Sequence, residues 1–335
     1  MTSWDDVSAR ARGLATHLLL PGEWQVLAAV ADLPALVTQL EHAREPLRLR
    51  GPRADAASVE QAVRRRAAER LALLARWCRD QPALLEAIFG DEDRRSLRAL
   101  LRGAVAGAPP EARLAGVLPT PSLPLRALET LAAQPSVAAL GALLAAWSHP
   151  LAPALRDAPR RGPPDLLALE TSLTRAFAAR ALAAASHGDA VLRLYLAQLV
   201  DMENVLAALA LTAASTELEP AAVLVSGGSV PLSALERVAR APPGVPALRA
   251  AEEAFRGTVL ASGFTELEPA RLAERLASLL RTHLHRLARI DPLGSAPVLD
   301  YALRVREEVQ RFQRLAWGLS LGAPLAERLG EAVPR

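Results

Sequence analysis

Residues 192–211 form a stretch that is apolar on almost every side of a helix. A helix of this kind is typically buried inside a bundle of other helices. Three polar residues, Gln198, Asp201 and Asn204, interrupt the apolar surface at a spacing of three, so they form one stripe along the helix. Because a buried carboxylate is costly unless it is paired or hydrogen-bonded, we expect Asp201 either to have a partner or to face a wet seam.

The composition favours an all-α fold. Hydrophobic residues make up 51% of the 335 residues and aromatic residues only 4%, so the core has to consist mainly of Ala, Leu and Val. Ala and Leu are the strongest helix formers, and β-branched residues are sparse. We therefore predict helices throughout.

Charge and cysteine content exclude several classes of protein. A net charge of only +3 argues against a dedicated nucleic-acid binder. The single cysteine, Cys78, excludes a disulfide within the chain and is predicted to be a small buried hydrophobe rather than a nucleophile. The opening MTSWDD lacks the apolar segment of a signal peptide, and we expect no transmembrane helix. The expectation is a soluble, cytoplasmic protein.

One phrase occurs twice, 107 residues apart, as PLRALE at 124–129 and PLSALE at 231–236. An acidic residue precedes each copy, Asp93 and Asp201, and Glu308 follows at the same interval, with spacings of 108 and 107 residues. Other positions keep the period: the aromatic residues Phe89, Tyr195 and Tyr301 lie 106 residues apart, and Arg113 and Arg328 lie 215 apart. A shared offset across independent features indicates an internal repeat.

Three units of this length fill the chain as residues 1–116, 117–222 and 223–335. The period is longer than the roughly 20–50 residues of solenoid repeats. We therefore predict three similar helical lobes, each with a small core, in one contiguous funnel-like body with pseudo-threefold symmetry. The polar stripe around Asp201 is then a structural feature that each lobe repeats, rather than part of a catalytic or metal site. Its equivalent positions are Asp93, Asp201, Asn204 and Glu308.

Motifs of catalysis and cofactor binding are missing from the sequence. A phosphate-binding GxxxxGK[ST] loop is impossible because every basic residue is Arg, and there is no HExxH. His283 and His285 are two residues apart, which places them on different sides of a helix and argues against a metal pair. We expect no active site, no metal and no cofactor.

Four arginines lie close together on one predicted helical surface: Arg94, Arg95, Arg98 and Arg102. Such a group is most often a solvated face. The functional alternative is a docking surface for an acidic partner, and these residues are our candidate interface. Nucleic acid ranks third, because acidic residues are interleaved and aromatic stacking groups are few.

Four segments resemble the C subunit of bacterial and archaeal V/A-type rotary ATPases, equivalent to subunit d of eukaryotic V-ATPases. They are SARAR at 8–12, LYLAQLVDMEN at 194–204, AVLVSGGSVP at 222–231, and DPLG at 291–294 followed by Tyr301 and Glu308. The first is similar to the family's N-A-R-V-R opening and the second to its Y-x(n)-D-x-x-N helix. Two positions depart from the pattern, since Asp6 stands where an aromatic residue is common and Arg311 where Asn is common.

The resemblance implies a funnel of three helical lobes that catalyses nothing. Its implied place is on the cytoplasmic face of the membrane, between the central-stalk subunits (D/F type) and the rotor ring. It would couple the stalk to the ring for ion transport and ATP synthesis or hydrolysis. The alternative from the residues alone is an all-helical protein-interaction scaffold unrelated to a membrane complex.

Overall fold

The computed structural model describes residues 4–43, 46–47, 49, 55–156, 158, 164–186, 189–213 and 218–330. Every regular element in these ranges is helical, which confirms the predicted all-α class. The helices in chain order are α1 (Trp4–Ala15), α2 (Pro21–Ala28), α3 (Leu33–Glu41), α4 (Ala56–Trp77), α5 (Pro82–Leu85), α6 (Asp91–Val105), α7 (Pro110–Arg113), α8 (Leu125–Ala132), α9 (Val137–Ala146), α10 (Leu166–Ala185), α11 (Ala190–Ala213), α12 (Leu232–Ala239), α13 (Val245–Ala254), α14 (Pro269–Ile290), α15 (Ala296–Ser320) and α16 (Leu325–Leu329).

After α1, one order of elements occurs three times: two short helices, two long helices and a short helical turn. The long pairs are α4 with α5–α6, α10 with α11, and α14 with α15. The short pairs that precede them are α2–α3, α8–α9 and α12–α13. This order agrees with the period in the sequence. The division into lobes at 1–116, 117–222 and 223–335, and their threefold arrangement, stay predictions.

The first helix of each long pair begins where an acidic residue caps it. Asp55 accepts the backbone N–H of Ser58 at 2.7 Å, and Asp165 accepts that of Ala168 at 3.0 Å. Glu268 accepts two backbone N–H groups at the start of α14. Each carboxylate satisfies donors that have no partner within the helix. Acidic residues thus mark the starts of α4, α10 and α14 in the sequence.

The chain stays helical from α5 through α6 without a break at Gly90. A π-helical turn over Glu86–Gly90 joins α5 directly to α6. Gly90 does not stop the helix; it permits close packing, because a Cβ there would lie 2.6 Å from the Glu86 Oε1 atom and 3.4 Å from Phe177. Asp91, Glu92 and Asp93, which follow Gly90, therefore lie within a continuing helix.

The long helices pack in the succession α4, α15, α14, α11, α10 and α6. One continuous cluster of buried Leu, Ala and Val side chains runs through this arrangement. Cys78 is fully buried within it, as predicted, and burial raises the pKa of its thiol to about 12. Close packing of short aliphatic side chains leaves little room for the helices to shift.

Helix α11 is long and apolar enough to cross a membrane by length and composition. It nevertheless packs against α10, α12 and α14, and its polar residues Gln198, Asp201 and Asn204 are all buried inside the protein. A central helix of a bundle passes the same test because it too is surrounded by apolar side chains. We therefore interpret α11 as a core helix.

Candidate functional site

Asp201 is fully buried and holds the segment that precedes α12. Its carboxylate accepts the backbone N–H of Ser229 at 2.9 Å and that of Val230 at 3.0 Å, and it also accepts the Ser229 hydroxyl. Gln198 donates to the same hydroxyl oxygen at 2.9 Å. Desolvation raises the pKa of Asp201, although the three donors oppose the rise. The carboxylate therefore acts as an anchor for a chain segment.

Asn204, one turn further along α11, binds the same segment. Its side-chain amide donates to the Val225 carbonyl at 2.7 Å and accepts the Val225 N–H at 2.8 Å. The NH₂ group and the oxygen of the Asn204 amide thus bind the C=O and the N–H of the same residue, Val225. Asp201 and Asn204 together fix the path of residues 223–230.

Asp93 and Ser96 make the corresponding contacts on α6. Asp93 accepts the hydroxyls of Thr120 and Ser122, which precede α8, and lies 3.3 Å from the His149 Nε2 atom. Ser96 exchanges hydrogen bonds with the backbone of Leu118, as Asn204 does with Val225. Asp93 and Asp201, which the repeat equates, therefore have the same structural role: each binds the segment that precedes the next short helix.

Glu308 on α15 anchors a segment from the opposite end of the chain. It accepts the backbone N–H of Leu19, just before α2, at 3.1 Å. It also pairs with Arg66 at 3.0 Å and Arg70 at 2.6 Å, both on α4. The N-terminal helices α2 and α3 therefore take the place that the following segment takes in the other two copies.

Arg113 and Arg328 are a second pair of repeat-equivalent residues that make the same contact, each with the end of a short helix. Arg113 donates to the carbonyls of Ala132 and Gln134 at the end of α8. Arg328, 215 residues later, donates to the carbonyls of Ala28 and Val30 at the end of α2. The N-terminal helices are therefore packed onto the C-terminal part of the chain through contacts equivalent to those between the first and second copies.

A cavity of about 1550 Å³ opens between α6, α10, α11, α14 and α15. Its lining is rich in arginine and glutamate and includes small residues such as Ala99, Ala207 and Ala210. On α6, α11 and α15 the lining begins at Glu92, Met202 and Arg306 respectively and continues toward the C-terminal end of each helix. The three helices therefore run up the wall from a common floor.

A cluster of six ionised side chains forms this floor; we call it the charged hub. Its members are Asp91, Glu92, Arg94, Arg95, Glu203 and Arg306. Asp91 lies within 2.6 Å of Arg94, 2.8 Å of Arg95 and 3.1 Å of Arg306. Arg94 also pairs with Glu203 at 2.9 Å, and Arg306 pairs with Glu92.

The arginines of the hub keep its carboxylates ionised despite their burial. Desolvation favours the neutral form of Asp91, but Arg95, Arg94 and Arg306 outweigh it and hold the pKa of Asp91 well below its usual range. Desolvation of Glu203 is likewise outweighed by its arginine neighbours, chiefly Arg94 and Arg98, which lower its pKa to about 2. Asp91 and Glu203 are therefore charged at neutral pH.

The four arginines of the predicted interface do not share one environment. Arg94 has no exposed surface, so it is not accessible to a partner protein. Arg98 and Arg102 line the cavity wall, where they bind Glu170 of α10 at 3.0 Å and 2.6 Å. Arg95 also lines the cavity, with its side chain 35% exposed. The structure thus places three of the four on the cavity and one beneath it.

The opposite wall of the cavity, formed by α14 and α15, carries a second set of ion pairs. Glu307 accepts from Arg281 at 3.2 Å and from Arg311 at 2.7 Å, and Arg314 pairs with Glu274. Burial lowers the pKa of Arg281, and Glu307 only partly opposes this shift. Sequence reasoning missed this wall and the partners Glu170, Glu203 and Arg306, because nothing local links residues so far apart in the chain.

The cavity has the chemistry of a protein-binding surface. It offers preformed guanidinium and carboxylate groups at many positions, which suits polar contacts with another protein. In the described ranges, no group of three or more His, Cys, Asp and Glu side chains has the arrangement of a metal site. His283 contacts Arg286, whereas His285 contacts Asp300, so these two histidines point to different neighbours.

Comparison with known proteins adds one match. The family model described as ATP synthase (C/AC39) subunit matches residues 7–326, nearly the whole chain. No curated protein matches the chain significantly.

Proposed function

Because the chain belongs to the ATP synthase (C/AC39) subunit family of V/A-type rotary ATPases, we propose that it is the rotor adaptor that joins the central stalk to the membrane ring. In this role it couples rotation of the stalk to the ring during ion transport and ATP synthesis or hydrolysis. It catalyses no reaction itself and binds no cofactor. It lies on the cytoplasmic face of the membrane and is attached there through the ring.

The observation that carries the proposal is the cavity of about 1550 Å³ in a member of this family. An α-helix is about 10 Å across and rises about 1.5 Å per residue, so this volume holds roughly three turns of one helix. The end of a helical stalk subunit of the D/F type fits such a space. Its polar side chains would meet Arg98, Arg102 and Arg311 on the walls.

The charge pattern supports a protein partner over nucleic acid. Arg98 and Arg102 are both held by Glu170, and Arg311 is held by Glu307. Such paired arginines present a mixed surface rather than a basic stripe. A nucleic-acid binder would instead show tight binding that weakens steeply with salt.

Co-purification tests the proposal. A tagged chain expressed in its native host is expected to bring down the stalk and ring subunits of one ATPase. Reversing charge on the wall, with Arg98→Glu and Arg102→Glu together, is expected to lower recovery of the stalk subunits. Arg126→Glu is the matched control, because Arg126 is exposed on α8 and does not line the cavity.

Recovery of only soluble partners unrelated to an ATPase would contradict the proposal and favour a general helical scaffold. Equal recovery of stalk subunits by the wall variant and the Arg126→Glu control would contradict docking in the cavity. Retention of DNA or RNA at low salt would point to the third alternative.

A further inference from the structure

The charged hub joins three helices that are far apart in the sequence. Asp91, Glu92, Arg94 and Arg95 lie at the start of α6, whereas Glu203 lies on α11 and Arg306 on α15. Arg94 and Glu203 are 109 residues apart, and Glu92 and Arg306 are 214 apart. Each of the three helices belongs to a different one of the three predicted lobes. The hub is therefore the ionic joint among these lobes.

The joint is balanced in charge and largely withdrawn from solvent. Three carboxylates face three guanidinium groups, and Asp91 and Arg94 have no exposed side-chain surface. Arg306 is 15% exposed and Glu203 17%. Removing Arg306 takes away the partner of Glu92 and one of the three arginines around Asp91, in a site that water barely reaches.

Ion pairs at this position fix the relative orientation of the helices, which apolar packing alone does not. Contacts between aliphatic side chains are non-directional, so close packing limits the movement of two helices without specifying one relative orientation by directional bonds. A guanidinium group binds carboxylates in a fixed planar geometry and resists such motion. The hub also lies at the floor of the cavity, where the walls formed by α6, α11 and α15 meet.

We propose that the charged hub is the torque-bearing joint of the subunit, which keeps the three lobes turning as one body when the stalk pushes on the cavity wall. This inference rests on the proposed function as rotor adaptor. Arg306 and Glu203 are its positioning residues, because they fix α15 and α11 to α6. The ion pairs higher on this wall, such as Arg102 with Glu170, join α6 to α10 and do not reach α15, so they do not hold all three lobes.

Spin-label distances in the isolated full-length chain test the joint without any partner. Val105→Cys on α6 and Gln310→Cys on α15 give two exposed labelling sites. The native Cys78 is buried, so its thiol does not compete for the label. We compare Arg306→Met and the milder Arg306→Lys with the control Arg102→Met, whose side chain is 59% exposed.

Arg306→Met is expected to broaden the distance distribution between α6 and α15 several-fold, and Arg306→Lys to broaden it less. Arg102→Met should leave the distribution unchanged. Unchanged distributions in both Arg306 variants would overturn the proposal. If Arg306→Met does not fold, the Arg306→Lys distribution decides the question.

The assembled ATPase gives the functional readout. Chains with Arg306→Lys or Glu203→Gln are expected to assemble and support ATP hydrolysis, but to move several-fold fewer ions for each ATP. Arg126→Met should keep the wild-type ratio, because Arg126 is exposed on α8 and does not line the cavity. A wild-type ratio in the hub variants would overturn the torque-bearing role. Failure of the wild-type chain to assemble would instead refute the proposed function and leave the distance result standing.

Discussion

Replacing Asp201 by Ala tests whether its carboxylate anchors the segment that precedes α12. The side chain is fully buried and accepts the backbone N–H groups of Ser229 and Val230 as well as the Ser229 hydroxyl. The Ala variant leaves the buried Val230 N–H without an acceptor, at about 1–3 kcal/mol, and the part-buried Ser229 N–H without one, at about 1 kcal/mol. We expect a total loss of about 3–5 kcal/mol, a large part of the roughly 5–15 kcal/mol that stabilises a typical protein.

Two further variants define the size of the effect. Asp201→Asn keeps one oxygen as an acceptor but turns an NH₂ group toward the Ser229 N–H, so we expect about half of the loss. Glu252→Ala removes an exposed acid of α13 and should change the stability by less than about 0.5 kcal/mol. Urea unfolding followed by circular dichroism measures all three.

The loss of stability in Asp201→Ala decides whether these hydrogen bonds anchor the segment. A loss below about 1 kcal/mol in Asp201→Ala would show that the hydrogen bonds to the 223–230 segment contribute little. A variant that folds and assembles normally but lacks a chemical activity would show that Asp201 has a role in chemistry.

Three other predictions concern the hub and the chain ends. Arg94→Met should lower the free energy of unfolding by about 3–5 kcal/mol in urea, against less than about 1 kcal/mol for the exposed Arg102→Met; equal losses would contradict the hub's burial. Because the folded-state pKa of Glu203 is lowered to about 2 from its ordinary 4.5, its stabilisation is present above pH 4.5 and is lost as the pH falls toward 2. Urea midpoints between pH 6 and 3 should therefore fall less steeply in Glu203→Gln than in the wild type, and parallel curves would refute the assignment. A permuted chain that begins at residue 56, with residues 1–55 fused after residue 330, should fold with a wild-type helical spectrum, because Glu308 and Arg328 hold the N-terminal helices beside α15; an unfolded permutant would contradict this arrangement.

The sequence predicted those elements whose signals are local. Ala and Leu indicated the all-α class, and the acidic caps Asp55, Asp165 and Glu268 marked the starts of three long helices. The repeat interval paired Asp93 with Asp201 before any contact was known. Capping and propensity act over a few neighbouring residues, and the repeat interval is read by comparing two segments of the sequence, so neither needs knowledge of a tertiary contact.

Features that depend on distant residues could not be predicted in the same way. The burial of Arg94 follows from Glu203, which lies 109 residues away. The segment that Glu308 anchors contains Leu19, 289 residues earlier in the chain. Gly90 has the pattern of a helix end, yet close packing against Glu86 and Phe177 makes it part of a continuous helix.

Cross-linking inside the intact ATPase tests the central proposal most directly. A photo-reactive residue at Gln310 would lie on the cavity wall, whereas one at Arg126 would lie on the exposed face of α8, outside the cavity lining. The rotor-adaptor role predicts that the probe at Gln310 captures a central-stalk subunit and that the probe at Arg126 does not. Capture of no ATPase subunit from Gln310, or equal capture of the stalk from both positions, would contradict it.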